Sequence, residues 1–205
     1  QQTLQHSNPS TVEIVNMSAS WESKKPDSAS ESDKLTTKSE QSIALNNVNL
    51  KVEPGELCVV IGEVGSGKSS LLMSLLGELH ILEGKINIGN SVAFVEQEPW
   101  ILTASIKDNI LMNKCEDETK YWKTTEACCL SEDFKEMAHQ DMTMIGDKGV
   151  NISGGQKARI ALARAVYTDR DIYLMDDPLS AVDAAVSSKL FTRCIKGVLK
   201  SKTRI

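Results

Sequence analysis

The distribution of apolar residues predicts short strands alternating with helices along most of the chain. A strand is predicted where apolar and polar residues alternate, or where a short apolar run is bounded by turn residues. In chain order these segments run from Val12 to about Trp21, from Ile43 to a turn at Pro54–Gly55, over Leu57–Ile61, twice within 84–97, and over 171–175. Strands that alternate with helices are typical of a largely parallel sheet.

Helical spacing of apolar residues separates these strands. The predicted helices cover 68–79 with an end near Gly77, much of 106–139, 152–167 after a Gly pair, and 184–195. The segment 24–42 is rich in Ser, Thr, Lys, Glu and Asp, so we expect a disordered loop there. Phosphorylation of that loop is an open alternative, since Ser28 and Ser30 each have an acidic residue three positions on.

The composition of the chain argues against several classes of function. A net charge of −5 argues against nucleic acid as a partner. No apolar run approaches the roughly 20 residues that span a bilayer, and the first residues lack the pattern of a signal peptide. Because the chain does not begin with Met, we expect it to be cut from a longer protein. The five cysteines have irregular spacing, which indicates reduced packing thiols of a cytosolic protein.

The strongest chemical signal is "GEVGSGKS" at Gly62–Ser69, which fits G-x-x-x-x-G-K-[ST]. It follows an apolar run and precedes a helical pattern, as a phosphate-binding loop must. Its glycines let backbone N–H groups approach phosphate, and the helix N-terminus adds a positive dipole end. Lys68 is placed to reach the β- and γ-phosphates, and the Ser69 hydroxyl to bind Mg²⁺. A plain Gly-rich turn is the alternative.

Two adjacent carboxylates end the apolar run "IYLM". Mg²⁺ prefers oxygen ligands and takes only one or two carboxylates, so Asp176 is the predicted metal-side acid. Asp177 then stands next to the γ-phosphate, where a general base or a water-positioning group belongs. A second-shell or helix-capping carboxylate is the alternative for Asp177.

A third element, "ISGGQ" at Ile152–Gln156, places Ser and two Gly before a helix. With the other two elements it resembles the signature L-S-G-G-Q of the nucleotide-binding domains of ABC transporters. The stretches "GEVGSGKSSLL", "VEQEPWI", "IGDKGVNISGGQKAR", "LARAVY" and "DDPLSAVDA" are similar to the C subfamily, which includes the multidrug-resistance-associated proteins. Asp177 within "DPLSAVD" is most like the first of the two such domains in one polypeptide.

The resemblance implies an α/β fold, with a P-loop NTPase (RecA-like) core, an antiparallel β subdomain and an inserted α-helical subdomain over about 98–160. The C-terminal part of that fold would lie beyond Ile205. ATP and Mg²⁺ are the implied cofactors. The implied nucleotide contacts are Trp21 as an adenine platform, Glu63, Val64, Gly65, Ser66, Gly67, Lys68, Ser69, Ser70, and Ser153, Gly154, Gly155 and Gln156 toward ATP held by the opposite domain. The implied metal ligands are Ser69, Gln97 and Asp176, and the implied catalytic residues are Gln97 and Asp177.

Partner contacts also follow from the resemblance. Ser180–Asp183 would cross a dimer interface, and Asp147–Val150 and Gln97 would face the coupling helices of transmembrane domains. The partner would be a second nucleotide-binding domain, at the cytosolic face of a membrane.

Three departures from the family pattern stand out. Ile152 replaces Leu, which conserves volume. Asp177 replaces the Glu that acts as catalytic base, and none of His6, His80 and His139 lies in the context of the switch histidine. A general base must lie within about 2.6–3.2 Å of the proton it takes. Since a misplacement near 1 Å costs roughly 100-fold in rate, we expect Asp177 to be a poor base while ATP binding survives.

The resulting hypothesis is an ATP-binding domain of a C-subfamily exporter, with a slow site of its own. One alternative is a regulatory nucleotide sensor that gates a channel or receptor. Another is a soluble ABC ATPase acting on DNA or ribosomes, against which the acidic balance argues.

Overall fold

The computed structural model describes residues 10–22, 42–89, 91–146 and 151–205. Its strands are β1 (Val12–Ser20), β2 (Ile43–Val52), β3 (His80–Ile88), β4 (Val92–Val95), β5 (Ile172–Met175) and β6 (Thr203–Arg204). Its helices are α1 (Lys68–Leu76), α2 (Ile106–Leu111), α3 (Glu118–Ala127), α4 (Ser131–Glu136), α5 (Gly154–Tyr167) and α6 (Ala184–Leu190). A 3₁₀ turn covers Gln140–Met142, and a wider π-helical stretch, Phe191–Val198, continues α6. The predicted mixed α/β class is confirmed.

One sheet is antiparallel, with the strand order β2-β1-β3. Val12 on the central strand pairs with Val52 on one side and with Ile88 on the other. The register of both pairings shifts near Asn16, whose φ is 47°. Opposite this irregularity a Cβ on Gly84 would lie 2.3 Å from the Asn16 carbonyl oxygen, so only glycine fits there.

The other sheet is parallel, with the order β4-β5-β6. Leu57 adds a single parallel bridge to Arg204 at its edge. The predicted strand over Leu57–Ile61 is therefore wrong beyond this bridge. Residues 58–61 have no further strand partner within the described parts of the chain, and Val59 and Ile61 are 67% and 87% exposed.

Arg204 fixes this edge with its side chain as well as its backbone. Its guanidinium donates to the carbonyl oxygens of Lys202 at 2.9 Å, Ile195 at 2.9 Å and Gly55 at 2.6 Å. Its carbonyl oxygen accepts from Cys58 N at 2.8 Å. The chain that leads into the phosphate loop is thus held by a residue near the other end of the sequence.

Strand β5 separates two apolar cores. Ile172 and Leu174 face one core, built mainly from β1, β2, α1 and β3, while Tyr173 faces the other. The second core is formed mainly by the helices, and its fully buried side chains include Ile106, Ile110, Tyr121, Leu130, Ile160 and Leu162. Because both faces of β5 are covered, its four residues are all apolar or aromatic.

The structure describes two of the three histidines and all five cysteines. His80, His139 and Cys115 are exposed. All five cysteines are free thiols. Cys128 and Cys194 are buried with their sulfur atoms 3.9 Å apart, and this hydrogen bond and burial raise the pKa of Cys128. The expected disordered loop at 24–42 and the segment Asp147–Val150 lie outside the described residues, apart from Ser42.

None of the helices in the described ranges combines the length and apolar character needed to cross a membrane.

Candidate functional site

The predicted acidic and amide residues follow two neighbouring strands, β4 and β5, at the carboxyl edge of the parallel sheet. Val95 ends β4, and its carbonyl oxygen accepts from Asp176 N at 2.9 Å, directly after β5. Gln97 follows Val95 by two residues, so it leaves the sheet beside Asp176 and Asp177. The phosphate loop leaves the same edge, because Leu57 is bridged in parallel to β6. Ligands of open α/β sheets bind at this edge.

The phosphate loop is a tight turn followed directly by α1. Ser66 N donates to Glu63 O at 3.2 Å, and the Lys68 ammonium donates to Gly62 O at 2.9 Å and to Glu63 O at 2.7 Å. Gly65 has a φ of 81°, which favours glycine. Val64, Ser66 and Ser69 are exposed, and Ser70 is half-buried. The loop therefore presents its side chains and backbone to solvent at the N-terminus of a helix.

Gly67 is the N-cap of α1 and links the loop to the antiparallel sheet. Its φ is 92°, and a Cβ there would lie 3.2 Å from a Leu45 methyl and 3.3 Å from the Ala44 carbonyl oxygen. Both neighbours belong to β2. The loop is thus seated against the start of β2.

Trp21 lies at that same end of the antiparallel sheet. It follows Ser20, the last residue of β1, which pairs with Ile43 at the start of β2. The Ser20 hydroxyl also donates to the Ser42 carbonyl oxygen at 2.9 Å. Since Ala44 approaches Gly67, the pairing places Trp21 on the phosphate-loop side, with 54% of its surface exposed. A large indole left this open is available for stacking.

Asp177 has an unusual backbone conformation. Its φ is 48°, in the left-handed region, and its side chain is exposed. Its carbonyl oxygen accepts from Ser180 N at 3.3 Å and from the Ser180 hydroxyl at 2.9 Å. Non-glycine residues in this region store roughly 1–3 kcal/mol of strain and cluster at functional sites.

The turn that begins at Asp177 ends at Asp183, the N-cap of α6. One Asp183 carboxylate oxygen accepts from the backbone N–H groups of Val186 and Ala185, each at 3.0 Å. These hydrogen bonds, chiefly the one from Val186, hold the pKa of Asp183 below its ordinary value. The segment Ser180–Asp183 therefore has fixed ends.

The signature segment opens α5 with a reciprocal cap. The Ser153 hydroxyl accepts from Gln156 N at 3.1 Å, and the Gln156 side-chain oxygen accepts from Ser153 N at 2.9 Å. Gln156 also donates to Asp133 at 3.0 Å, and Asp133 accepts from Arg159 at 2.7 and 2.6 Å. Ile152 is buried, so its exchange for Leu keeps an apolar contact. Asp133 of α4 thus anchors the signature.

Comparison with known proteins agrees with this geometry. The family model for the ABC transporter matches residues 45–180. The chain belongs to the ABC transporter family. It is 50% identical over 82% of its length to the Dictyostelium discoideum "ABC transporter C family member 3", of which that match covers 12%. It is also 47% identical over 94% of its length to the Arabidopsis thaliana "ABC transporter C family member 9", covering 12% of it.

A mammalian relative shows the same relationship. The ABC domain is 50% identical to the Mus musculus "ATP-binding cassette sub-family C member 2" over 78% of its own length and 11% of the relative. The chain therefore spans about an eighth of the length of the curated relatives it matches. It is a nucleotide-binding domain of the C-family type, and the family implies that it binds ATP.

The oxygen donors predicted for Mg²⁺ follow elements that end at this sheet edge. Ser69 supplies a hydroxyl, Gln97 an amide oxygen and Asp176 one carboxylate, which is the mixed and weakly charged set that Mg²⁺ takes with phosphate oxygens. Val95, two residues before Gln97, accepts a hydrogen bond from Asp176 N. The described ranges of the ABC domain hold no group of three or more His, Cys, Asp or Glu arranged for a metal. The roles of the individual site residues stay predictions.

Sequence reasoning missed the residues that support the site of the ABC domain. Asp133 holds Gln156 and Arg159 across 23 and 26 residues of sequence, and no local pattern signals such a pair. Asn109 is a fully buried polar residue in α2, within the apolar pattern of "IKDNIL". A polar residue at an apolar position of a helix was the available signal for it.

Proposed function

We propose that this ABC domain binds Mg-ATP and closes head to tail on a second nucleotide-binding domain, at the cytosolic face of a membrane. Closure would drive the rearrangement of transmembrane domains that export a substrate. The observation that supports the proposal is that the segments with the phosphate loop, Gln97 and Asp176 leave the same edge of the parallel sheet. The similarity to C-family relatives supports the transport role.

Different residues of this chain would bind the phosphates, the adenine and the Mg²⁺. Backbone N–H groups of residues 63–68 would face the phosphates, and Lys68 would exchange the Gly62 and Glu63 carbonyl oxygens for phosphate oxygens. Trp21 would stack on adenine. Ser69, Gln97 and Asp176 would hold Mg²⁺, which neutralises phosphate charge when bound.

Hydrolysis at this domain's own phosphate loop is proposed to be slow. Asp177 is one methylene shorter than Glu, and a placement error near 1 Å costs roughly 100-fold, or about 2.7 kcal/mol in barrier. Pro178 directly after it limits how far the backbone can adjust. Ser153 and the Gly pair would instead complete the site of the partner domain, whose own Glu would act there.

A regulatory nucleotide sensor is the second candidate, and the same short Asp177 favours it. A domain that holds ATP without turnover can report nucleotide binding to a channel or receptor. The two functions differ in what the longer protein does. Nucleotide-dependent transport into vesicles supports the exporter, and nucleotide-dependent conductance without transport supports the sensor.

The test is to bind radiolabelled Mg-ATP to the chain, remove free nucleotide, and separate ATP from ADP after an hour. We expect intact ATP. ADP in the wild-type sample would contradict the slow site, and a wild-type chain that takes up no nucleotide would contradict ATP binding. Lys68→Ala is the control for specific uptake. Asp177→Glu should raise the ADP fraction, and if it does not, side-chain length is not what limits hydrolysis.

A further inference from the structure

Arg164, near the C-terminal end of α5, contacts the segment that follows Gln97 through its side chain. Its guanidinium donates to the Trp100 carbonyl oxygen at 3.1 Å, to the Asn109 carbonyl oxygen at 2.8 Å and to the Asn109 side-chain oxygen at 3.0 Å. It also lies over the Trp100 ring, 4.3 Å from the centroid. One side chain of α5 therefore joins α2 to the loop after β4.

Asn109 makes this junction rigid. Its side-chain oxygen accepts from Leu102 N at 2.8 Å as well as from Arg164, and its NH₂ group donates to the carbonyl oxygens of Leu102 and Ser105, each at 3.0 Å. Both donors and both acceptor positions of the amide are thus used. Because Asn109 is fully buried, breaking any of these bonds leaves a polar group without solvent to replace its partner.

The contacts of Arg164 begin close after Gln97 in the sequence. Trp100, three residues after Gln97, is held by hydrogen bond and ring contact. Burial lowers the pKa of Arg164, and the charge of the Glu96 carboxylate works in the opposite direction. Arg164 therefore holds the short turn that carries Gln97 on its C-terminal side, at Trp100.

The helix that carries Arg164 also carries the signature. Ser153 is the N-cap of α5, and Arg164 lies on its later turns, so a continuous helix joins the two. Close-packed protein interiors have low compressibility and transmit strain. A displacement of the signature end would thus be transmitted to Trp100 and to the turn at Gln97.

We propose that Arg164 is a positioning residue of the nucleotide site: by holding Trp100 and Asn109 it fixes where Gln97 stands, and it ties that position to the signature helix. This inference rests on the proposed function, because Gln97 matters only if the site binds Mg-ATP. A residue of purely structural importance would stabilise the fold without acting through Gln97.

The experiment compares the dissociation constants of Mg-ATP and of ATP in EDTA for the wild-type chain and three variants, Arg164→Lys, Gln97→Ala and the double variant. Lys keeps the charge but cannot form the planar fork or the same ring contact. We expect Arg164→Lys to weaken Mg-ATP binding about threefold to tenfold, the scale of one or two hydrogen bonds. ATP binding in EDTA should change less than twofold.

The double variant separates positioning from structure. If Arg164 acts through Gln97, the double variant binds Mg-ATP no more weakly than Gln97→Ala alone. Additive losses, equal losses with and without Mg²⁺, or an unaffected Arg164→Lys would each overturn the inference. A wild-type chain that binds no nucleotide would overturn the proposed function and this inference together, whereas wild-type binding with additive losses would overturn only the inference.

Hydrogen exchange supplies a second readout and a folding control. Backbone amides of residues 97–105 should exchange faster in Arg164→Lys than in wild type, while those of β5 should be unchanged. Arg170→Lys is the matched control, since Arg170 is exposed and follows the end of the same helix. Unchanged exchange over 97–105 in Arg164→Lys would contradict the proposal that Arg164 positions this segment.

Discussion

Gly155 lies directly against the Ala181 carbonyl group: a Cβ on Gly155 would stand 3.1 Å from that oxygen and 3.5 Å from a Val182 methyl. The neighbouring Gly154 has nothing within 4 Å of its Cβ position. The signature helix and the turn that begins at Asp177 are therefore in contact at one of the two glycines only.

This difference predicts opposite outcomes for two alanine substitutions. Gly154→Ala should stabilise the domain by up to about 1 kcal/mol, because alanine loses less backbone entropy in a helix. Gly155→Ala should gain less or lose stability, since the Ala181 carbonyl must move by a few tenths of an ångström. Urea unfolding of both variants measures the contrast, and an equal gain for both would show that the turn yields freely.

Lys68→Ala should abolish most ATP binding and leave the fold intact. The ammonium is bonded to the Gly62 and Glu63 carbonyl oxygens at the surface, so its loss should change the free energy of unfolding by less than about 1 kcal/mol. Lys85→Ala, an exposed lysine in β3, is the matched control for loss of one positive charge. Fluorescence titration measures the ATP affinity of both variants, and a thermal melt measures their stability. An unfolded Lys68→Ala chain would mean that the lysine is structural.

Trp21→Ala should weaken ATP binding by about 1–3 kcal/mol, the range found when aromatic platforms under bases are removed. Trp21→Phe should recover part of that loss, because a ring remains. Val15→Ala removes another exposed apolar side chain, from the strand β1 that Trp21 follows, and should leave affinity unchanged. Calorimetric titration with ATP is the measurement. Equal affinity for Trp21→Ala and wild type would exclude stacking.

Asp133→Ala should destabilise the domain by about 3 kcal/mol. The Arg159 and Asp133 side chains are 11% and 13% exposed, so removal of the acid leaves a buried guanidinium unpaired. Glu132→Ala, on the exposed side of the same helix, should change stability by less than about 0.5 kcal/mol. Denaturant midpoints for the two variants test this, and a loss below 1 kcal/mol for Asp133→Ala would indicate that water replaces the carboxylate.

The phosphate loop was predictable from sequence because its chemistry is local: glycines, Lys68 and Ser69 are contiguous and lie between an apolar run and a helix. The edge with Asp176 followed from the same logic, since an apolar run that ends in acids marks a strand end. The segment Leu57–Ile61 had the composition of a strand, but a strand also needs a paired neighbour, and in the described part of the chain only Leu57 is bridged.

The supporting contacts were not predictable because they join distant positions. Arg164 and Asn109 are 55 residues apart, and Arg159 and Asp133 are 26 apart. Neither pair has a local pattern, since the exposed or buried state of an arginine depends on which helices meet around it. The π-helical stretch Phe191–Val198 likewise depends on packing, because its sequence continues the amphipathic pattern of α6.

The hydrogen bond from the Arg204 guanidinium to the Gly55 carbonyl oxygen has a consequence for the synthesis of the protein. These two residues are 149 positions apart, and the backbone of Arg204 also aligns Leu57 and Cys58 ahead of the phosphate loop. At about 5–20 residues per second, a ribosome needs roughly 7–30 s to pass from one to the other. During that interval the nascent phosphate loop lacks β6, the strand to which Leu57 and Cys58 are bonded. Nucleotide can therefore bind in the folded arrangement only after Arg204 has been synthesised.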